Sequence, residues 1–317
     1  MHIATLRQLA LGTVLLAGLA APAGVSAKLV VGVSDQQATT FTSPLFAPAK
    51  LTVARYVVPY DVANDPLQAG RLESWLAAAQ GARQRVLISF EHSRLSRQAA
   101  GKLPTPAAYK TAITAFKKRY GSLVSDISPW NEVDRKYDRA RAEGQPTWNK
   151  PAMVARYYGV ALRVFKGKRI VALDILDQQQ VSYAVRYIRQ FKAAVKAQRL
   201  PAPRIWGVHP YSDINRFSTL RTRALLSATG SGDVWLTEAS GIVRFGSGFP
   251  YNESRAAAAN RCMFTIARLS PRIKRLYVFG WAAGGTFDSG LVRPDGLTPR
   301  PGYTVVKRRQ AGPCGKR

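Results

Sequence analysis

The chain has 317 residues and carries 47 Lys and Arg against 18 Asp and Glu, a formal net charge of +29 with a pI near 10.8. Of the three histidines only His92 and His209 lie beyond the N-terminal leader described below, so a histidine-rich zinc cage cannot be assembled, although a carboxylate-rich calcium site remains open. There is no Gly-x-Ser-x-Gly elbow, no phosphate-cradling loop ending in Gly-Lys-Ser or Gly-Lys-Thr, and no dinucleotide fingerprint after the first β-like run; neither a cofactor nor a metal is expected.

The chain opens with Arg7 in a short polar stretch, then an apolar run from Leu9 to Ala20, then Val25-Ser26-Ala27. Small residues before a cleavage point read as a secretory signal peptide over residues 1–27, cut after Ala27, which makes the mature protein secreted. The apolar run is short of the roughly 20 residues needed to cross a bilayer, and no later stretch approaches that length without charges, so no membrane span is expected. About 290 residues remain, enough for one large domain with one core, residues 28–317, and a monomer is expected.

From there short β-branched runs alternate with helical patterns. The runs are Leu29 to Val33, Leu51 to Pro59, Arg85 to Phe90, Asp126 to Trp130, Arg169 to Ile175, Arg204 to His209, Asp233 to Thr237 and Arg275 to Trp281. Strand followed by helix specifies parallel strands with helical crossovers, and eight such strands close a (β/α)₈ TIM barrel. The intervening helices show apolar spacing at Tyr109, Ile113, Phe116 and Tyr120, and at Tyr183, Tyr187, Ile188, Phe191 and Val195. Thr105-Pro106, Lys150-Pro151 and Asn252-Glu253 place a proline or a capping residue at a first turn. The first and sixth crossovers are poorer, and Thr39 to Lys50 predicts an irregular loop. Cys262 and Cys314 predict a disulfide pinning the C-terminal tail to a late helix. The basic residues are spread along the chain, many of them on outer helix faces such as Arg186, Arg189, Lys192 and Lys196; the same charge would attract acidic cell-wall polymers or an acidic polysaccharide.

In such a barrel chemistry sits at the C-terminal ends of the strands. Read in order these carry Asp35, Arg55 and Asp61, Glu91-His92, Asn131-Glu132, Asp177, His209 and Tyr211, Glu238, and Trp281. One pocket would collect carboxylates, an amide, imidazoles and aromatic faces. A carboxylate pair beside an aromatic platform suits glycosidic bond cleavage, one carboxyl protonating the leaving oxygen while the other attacks or activates water. Position alone also admits Glu91, Asp177 or Asp213 to the pair. Trp130 and Trp235 read as packing, and Tyr137 and Trp148 as candidates for distal sugar subsites.

Ile127-Ser128-Pro129-Trp130-Asn131-Glu132 and Val234-Trp235-Leu236-Thr237-Glu238 resemble the fourth- and seventh-strand motifs of clan A of the glycoside hydrolases, with families 5, 39 and 128 as neighbours. The resemblance implies Glu132 as general acid/base, Glu238 as nucleophile and Asn131 as the donor to the sugar 2-hydroxyl. His209-Pro210-Tyr211 is similar to the clan's sixth-strand pattern, in which an aromatic hydroxyl touches the nucleophile. Trp281 matches its eighth-strand sugar platform, Arg55 its nucleophile-orienting arginine, and His92 its third-strand histidine. Phe287 to Leu291 and Pro299 to Tyr303 look like the clan's closing segment. The implied activity is retaining hydrolysis of a polysaccharide or oligosaccharide, with the pKa of Glu132 raised by burial and by its partner's charge. A transglycosylase with the same carboxylates, or a silent barrel that binds cell-wall or acidic polysaccharide, are the alternative readings.

Overall fold

The computed structural model describes residues 29–138, 143–178 and 180–315; the expected signal peptide lies outside them. Barrel strands run Val30–Ser34, Val53–Pro59, Arg85–Glu91, Asp126–Ser128, a fifth in two pieces (Arg169–Ile170 and Asp174–Leu176), Ile205–His209, Asp233–Ala239 and Ile273–Phe279. All neighbouring strands are parallel, and the sheet begins on one piece of the fifth strand and ends on the other. The residues between the pieces close the ring: Val171 N–H donates to Ile127 O (2.8 Å) on the fourth strand, Ala172 N–H to Ile205 O (2.9 Å) on the sixth. This is the (β/α)₈ barrel.

Two apolar layers follow from the alternation of side chains along a strand. Val53, Leu87, Val171, Ile205, Trp235 and Tyr277 pack together inside the ring, while Ala54, Tyr56, Val58, Val86, Ile88 and Phe90 belong to the larger layer beneath the helices. The floor of the ring is polar as well: Arg275 lies 3.8 Å from the centroid of the Trp235 ring and donates to Asp126 Oδ2 (2.6 Å). The helix over Pro106–Tyr120 starts at Thr105, whose hydroxyl accepts from Ala108 N–H (3.2 Å), and buries Tyr109, Ile113, Phe116 and Tyr120. Asn252 caps the helix Glu253–Ile266 in the same way. The first crossover has only a 3₁₀ turn, Ala38–Thr40, and one helical turn, Phe46–Ala49, while the sixth carries a ten-residue helix, Leu220–Thr229. Cys262, in the helix Glu253–Ile266, is bridged to Cys314 with Cα atoms 4.7 Å apart, which ties the tail across that helix. Among the described residues no helix is long and apolar enough to cross a membrane.

Three breaks in strand alternation matter for the site. In the seventh strand Leu236 pairs with Leu276 and Ala239 with Val278, so Thr237 and Glu238 together oppose Tyr277. This bulge lets consecutive residues both face the barrel axis, since Thr237 Oγ1 donates to Asp174 and Glu238 pairs with Arg55. The split of the fifth strand likewise changes phase, burying Ala172 and Leu173 in the outer layer while Asp174 turns inward. Gly207, opposite it, has no room for a side chain, because a Cβ would lie 2.0 Å from Asp174 Oδ1. After the eighth strand Gly280 takes φ +82°, and the chain leaves the ring there.

Candidate active site

A cavity of about 630 Å³ opens at the C-terminal ends of the strands. Its wall includes Asn131, Glu132, Tyr211 and Glu238, the acid Glu91, and the arginines Arg94, Arg135 and Arg216. Phe245, Phe249, Phe279 and Phe287, with Ile242, form an apolar side. Arg55, on the second strand, is wholly buried below and faces inward because it keeps phase with Val53.

Arg55 organises the floor. It is ion-paired to Glu238 through Nη1 and Oε1, and its other donors reach Ser34 Oγ (3.1 Å), Ser89 Oγ (2.9 Å), Asn131 Oδ1 (2.6 Å) and Asp174 Oδ2 (3.1 Å). A planar guanidinium saturated in this way fixes the orientation of whatever it touches. Tyr211 O–H donates to Glu238 Oε2 (3.2 Å), and burial, followed by the charge of Glu238, pushes its pKa far up, so it remains a donor. Glu238 is thus held by one cation on the second strand and one hydroxyl from the short helix after the sixth, Tyr211–Asn215.

Glu132 stands opposite. Its backbone has φ +44°, a left-handed conformation that costs a non-glycine residue of the order of 1 kcal/mol or more and that places Asn131 and Glu132 side by side on the cavity wall. Glu132 Oε1 lies 3.3 Å from His209 Nδ1, and Oε2 lies 3.2 Å from Arg135 Nη1. One carboxylate oxygen each of Glu132 and Glu238 and a ring nitrogen of His209 all fall within 4.8 Å of one another. Among the described residues this is the one acid and histidine grouping with metal-ligand spacing, and Arg55 and Arg135 already supply positive charge to it.

The expected rise in the pKa of Glu132 is corrected. Burial does push it up, but the hydrogen bond and charge of His209, followed by Arg135, outweigh burial, and the net direction is down. His209 moves the other way: burial opposes its protonation, yet the charge of Glu238 and the bond to Glu132 raise its pKa. The two directions are those of a charge-assisted hydrogen bond between the imidazole and the carboxylate.

Asp174 was not singled out by the sequence, although an acid within a β-branched run is a visible signal. It is fully buried, accepts from Ser89 Oγ (2.8 Å), Thr237 Oγ1 (2.6 Å) and Arg55, and lies 3.9 Å from His209 Nε2. Burial raises its pKa, but Arg55 and then His209 bring it below the usual carboxylate value.

Two sequence-predicted residues lie elsewhere. Trp281 does not face the cavity: it is 1 % exposed and packs edge-on against Phe46 (5.4 Å) and Tyr303 (6.0 Å), because the turn at Gly280 carries it into the layer beneath the helices. The four phenylalanines provide the aromatic surface instead. His92 turns to Gln145 (3.3 Å) and is not on the cavity wall, where its neighbour Glu91 is. Of the rival acids, Asp177 accepts from the N–H groups of Ser212 (2.7 Å) and Asp213 (2.6 Å), and Asp213 from Thr222 N–H (2.7 Å); both hold loops together. Asp35 does likewise, accepting from Trp281 N–H (2.7 Å).

No protein-family model matches the chain, and no curated protein matches its sequence. Solved structures do resemble it. A GH10 endoxylanase from a sugarcane soil metagenome is 16 % identical with a TM-score of 0.60, over 88 % of this chain and 96 % of that one. The fungal β-1,4-galactanases are represented at 12 % identity and a TM-score of 0.63, over 89 % of this chain and 99 % of that one. A GH30 endoxylanase from Clostridium papyrosolvens C71 is 14 % identical with a TM-score of 0.59, over 90 % and 72 %. At such identities the likeness is one of fold.

Proposed function

We propose that the chain is a secreted, retaining glycoside hydrolase acting on a β-linked polysaccharide or oligosaccharide, with Glu238 as nucleophile and Glu132 as acid/base. The observation that carries this is the pair itself. One carboxylate oxygen from each of the fourth- and seventh-strand ends comes within 4.8 Å of the other at the wall of one cavity, a close approach that fits the roughly 5 to 5.5 Å between the carboxyl groups of retaining enzymes. The folds that the chain resembles include xylanases, galactanases and a mannanase, which supports the reading at the level of architecture.

In this mechanism Arg55 and Tyr211 hold Glu238 aimed at the anomeric carbon. Glu132 delivers to the leaving oxygen the proton it shares with His209, then takes one from the water that opens the glycosyl ester. Asn131, its amide oxygen held by Arg55 (2.6 Å), presents its amide nitrogen to the sugar 2-hydroxyl. The ring of the sugar lies on the phenylalanine side of the cavity.

The test is Glu238→Gln with folding verified by circular dichroism. Turnover on a panel of β-glycans should fall by about 10⁴ or more, and a 2-deoxy-2-fluoro glycoside should label Glu238 in the wild type. Unchanged turnover in the variant, or a label on another residue, refutes the assignment.

A further inference from the structure

The charges on the cavity wall do not balance. Glu238 is paired with Arg55, Glu132 with Arg135 (3.2 Å) and Glu91 with Arg94 (2.9 Å through Nε). That accounts for every acid on the wall and leaves Arg216 over. Arg216 is exposed, and among the described residues its guanidinium meets no carboxylate; it lies 5.7 Å from the centroid of the Phe249 ring. Arg255 approaches the same ring at 4.7 Å. A guanidinium resting on an aromatic face keeps its N–H edge free, and that planar fork suits an oxyanion. It sits beside the apolar surface offered by Phe245, Phe279 and Phe287.

We propose that the substrate is an anionic glycan: a β-linked chain bearing a carboxylate or a sulfate on the sugar that lies against Phe249, met there by Arg216. The proposal rests on the hydrolase reading for the position of the cleaved bond, and it names the substrate class of that same cleft. It has a second consequence. Arg135 is half-exposed (49 %) and can turn from Glu132 to an incoming anion. The groups facing Glu132 would then be His209 on the sixth strand, Glu238 on the seventh and Asp134 in its own loop, with Asp174 and Arg55 behind His209. An anionic chain thereby removes one of the two partners that hold Glu132 ionised, which favours its protonation for the first step. The overall charge of +29 draws such a chain toward the molecule from a distance, and the excess at Arg216 fixes where its anion is read.

Binding is measured by calorimetry in 0.15 M salt on Glu238→Gln, which holds ligand without turnover. The probes are a β-1,4-linked glucuronic acid hexasaccharide, its methyl ester and a 6-O-sulfated β-1,4-glucan hexasaccharide. We expect the acid or the sulfate to bind at least about tenfold tighter than the ester, with the better of the two identifying the anion. Adding Arg216→Ala should remove most of that preference, whereas Arg189→Ala on the outer helix Val181–Ala197 should leave it. Equal binding of acid, sulfate and ester, no binding of any, or the same loss from Arg189→Ala as from Arg216→Ala overturns the proposal. Wild-type turnover separates the two readings: cleavage of a neutral glycan without charge preference sinks only this inference, while charge-selective binding without cleavage or labelling of Glu238 sinks only the hydrolase assignment.

Discussion

Asp134, two residues beyond Glu132, is fully buried; its Oδ1 accepts from Leu176 N–H (3.0 Å) and its Oδ2 from Gln178 Nε2 (2.7 Å). Burial pushes its pKa from 3.8 up to about 7, against the pull of those hydrogen bonds. The native protein therefore keeps this proton between about pH 4 and 7 while the unfolded chain has released it. The native state binds more protons across that window, so this group's contribution to stability falls as pH rises through it. At about 1.4 kcal/mol per unit the loss is about 4 kcal/mol, complete above about pH 7. Asn at this position cannot ionise. Thermal unfolding of Asp134→Asn and wild type should thus diverge as pH rises from 4.5 to 8, the variant gaining about 8 °C relative to wild type over that range. Taking the difference between the two proteins cancels the other titrating groups. A pH-independent difference, or a wild type that gains on the variant as pH rises, would refute burial as the dominant influence on this carboxyl.

Tyr211→Phe removes the hydroxyl that donates to Glu238 Oε2 (3.2 Å) while keeping the ring packed against Phe279 and Phe287; kcat should fall about tenfold with Tm unchanged, and an undiminished kcat would show that this hydroxyl does nothing for the nucleophile. Replacing Cys262 and Cys314 together by Ala opens a loop spanning 52 residues, for which the chain-entropy model gives a loss of about 4 kcal/mol in urea unfolding; a variant within about 1 kcal/mol of wild type would mean that the unfolded chain gains little freedom there.

Much of the barrel is legible along the chain because its strands are covered on both faces and so appear as nearly continuous β-branched runs, as in Val53–Pro59, where every residue is buried. Helix starts are legible for a local reason: the Thr105 and Asn252 side chains satisfy N–H groups three residues on, a contact written in adjacent sequence. Alternation misleads where a strand changes phase. A regular seventh strand would point Thr237 and Glu238 to opposite faces, and a regular eighth strand extended to Trp281 would keep that ring on the cleft; a bulge and the positive φ of Gly280 reverse both. The sign of the Glu132 shift was equally out of reach, since burial acts through the whole environment while His209 and Arg135 act through distances of little more than 3 Å.

The order of apolar runs and caps by itself determined the barrel and placed Asn131, Glu132, His209 and Glu238 at its C-terminal rim, because strand and helix formation depend on residues near one another in the chain. Only the closed ring decided which of those groups meet, that Asp174 and Arg55 lie beneath them, that His209 and Arg135 draw the pKa of Glu132 down, and that among the described residues the guanidinium of Arg216 meets no carboxylate. Those outcomes depend on distances between residues from different strands, and such distances exist only once the strands are packed against one another.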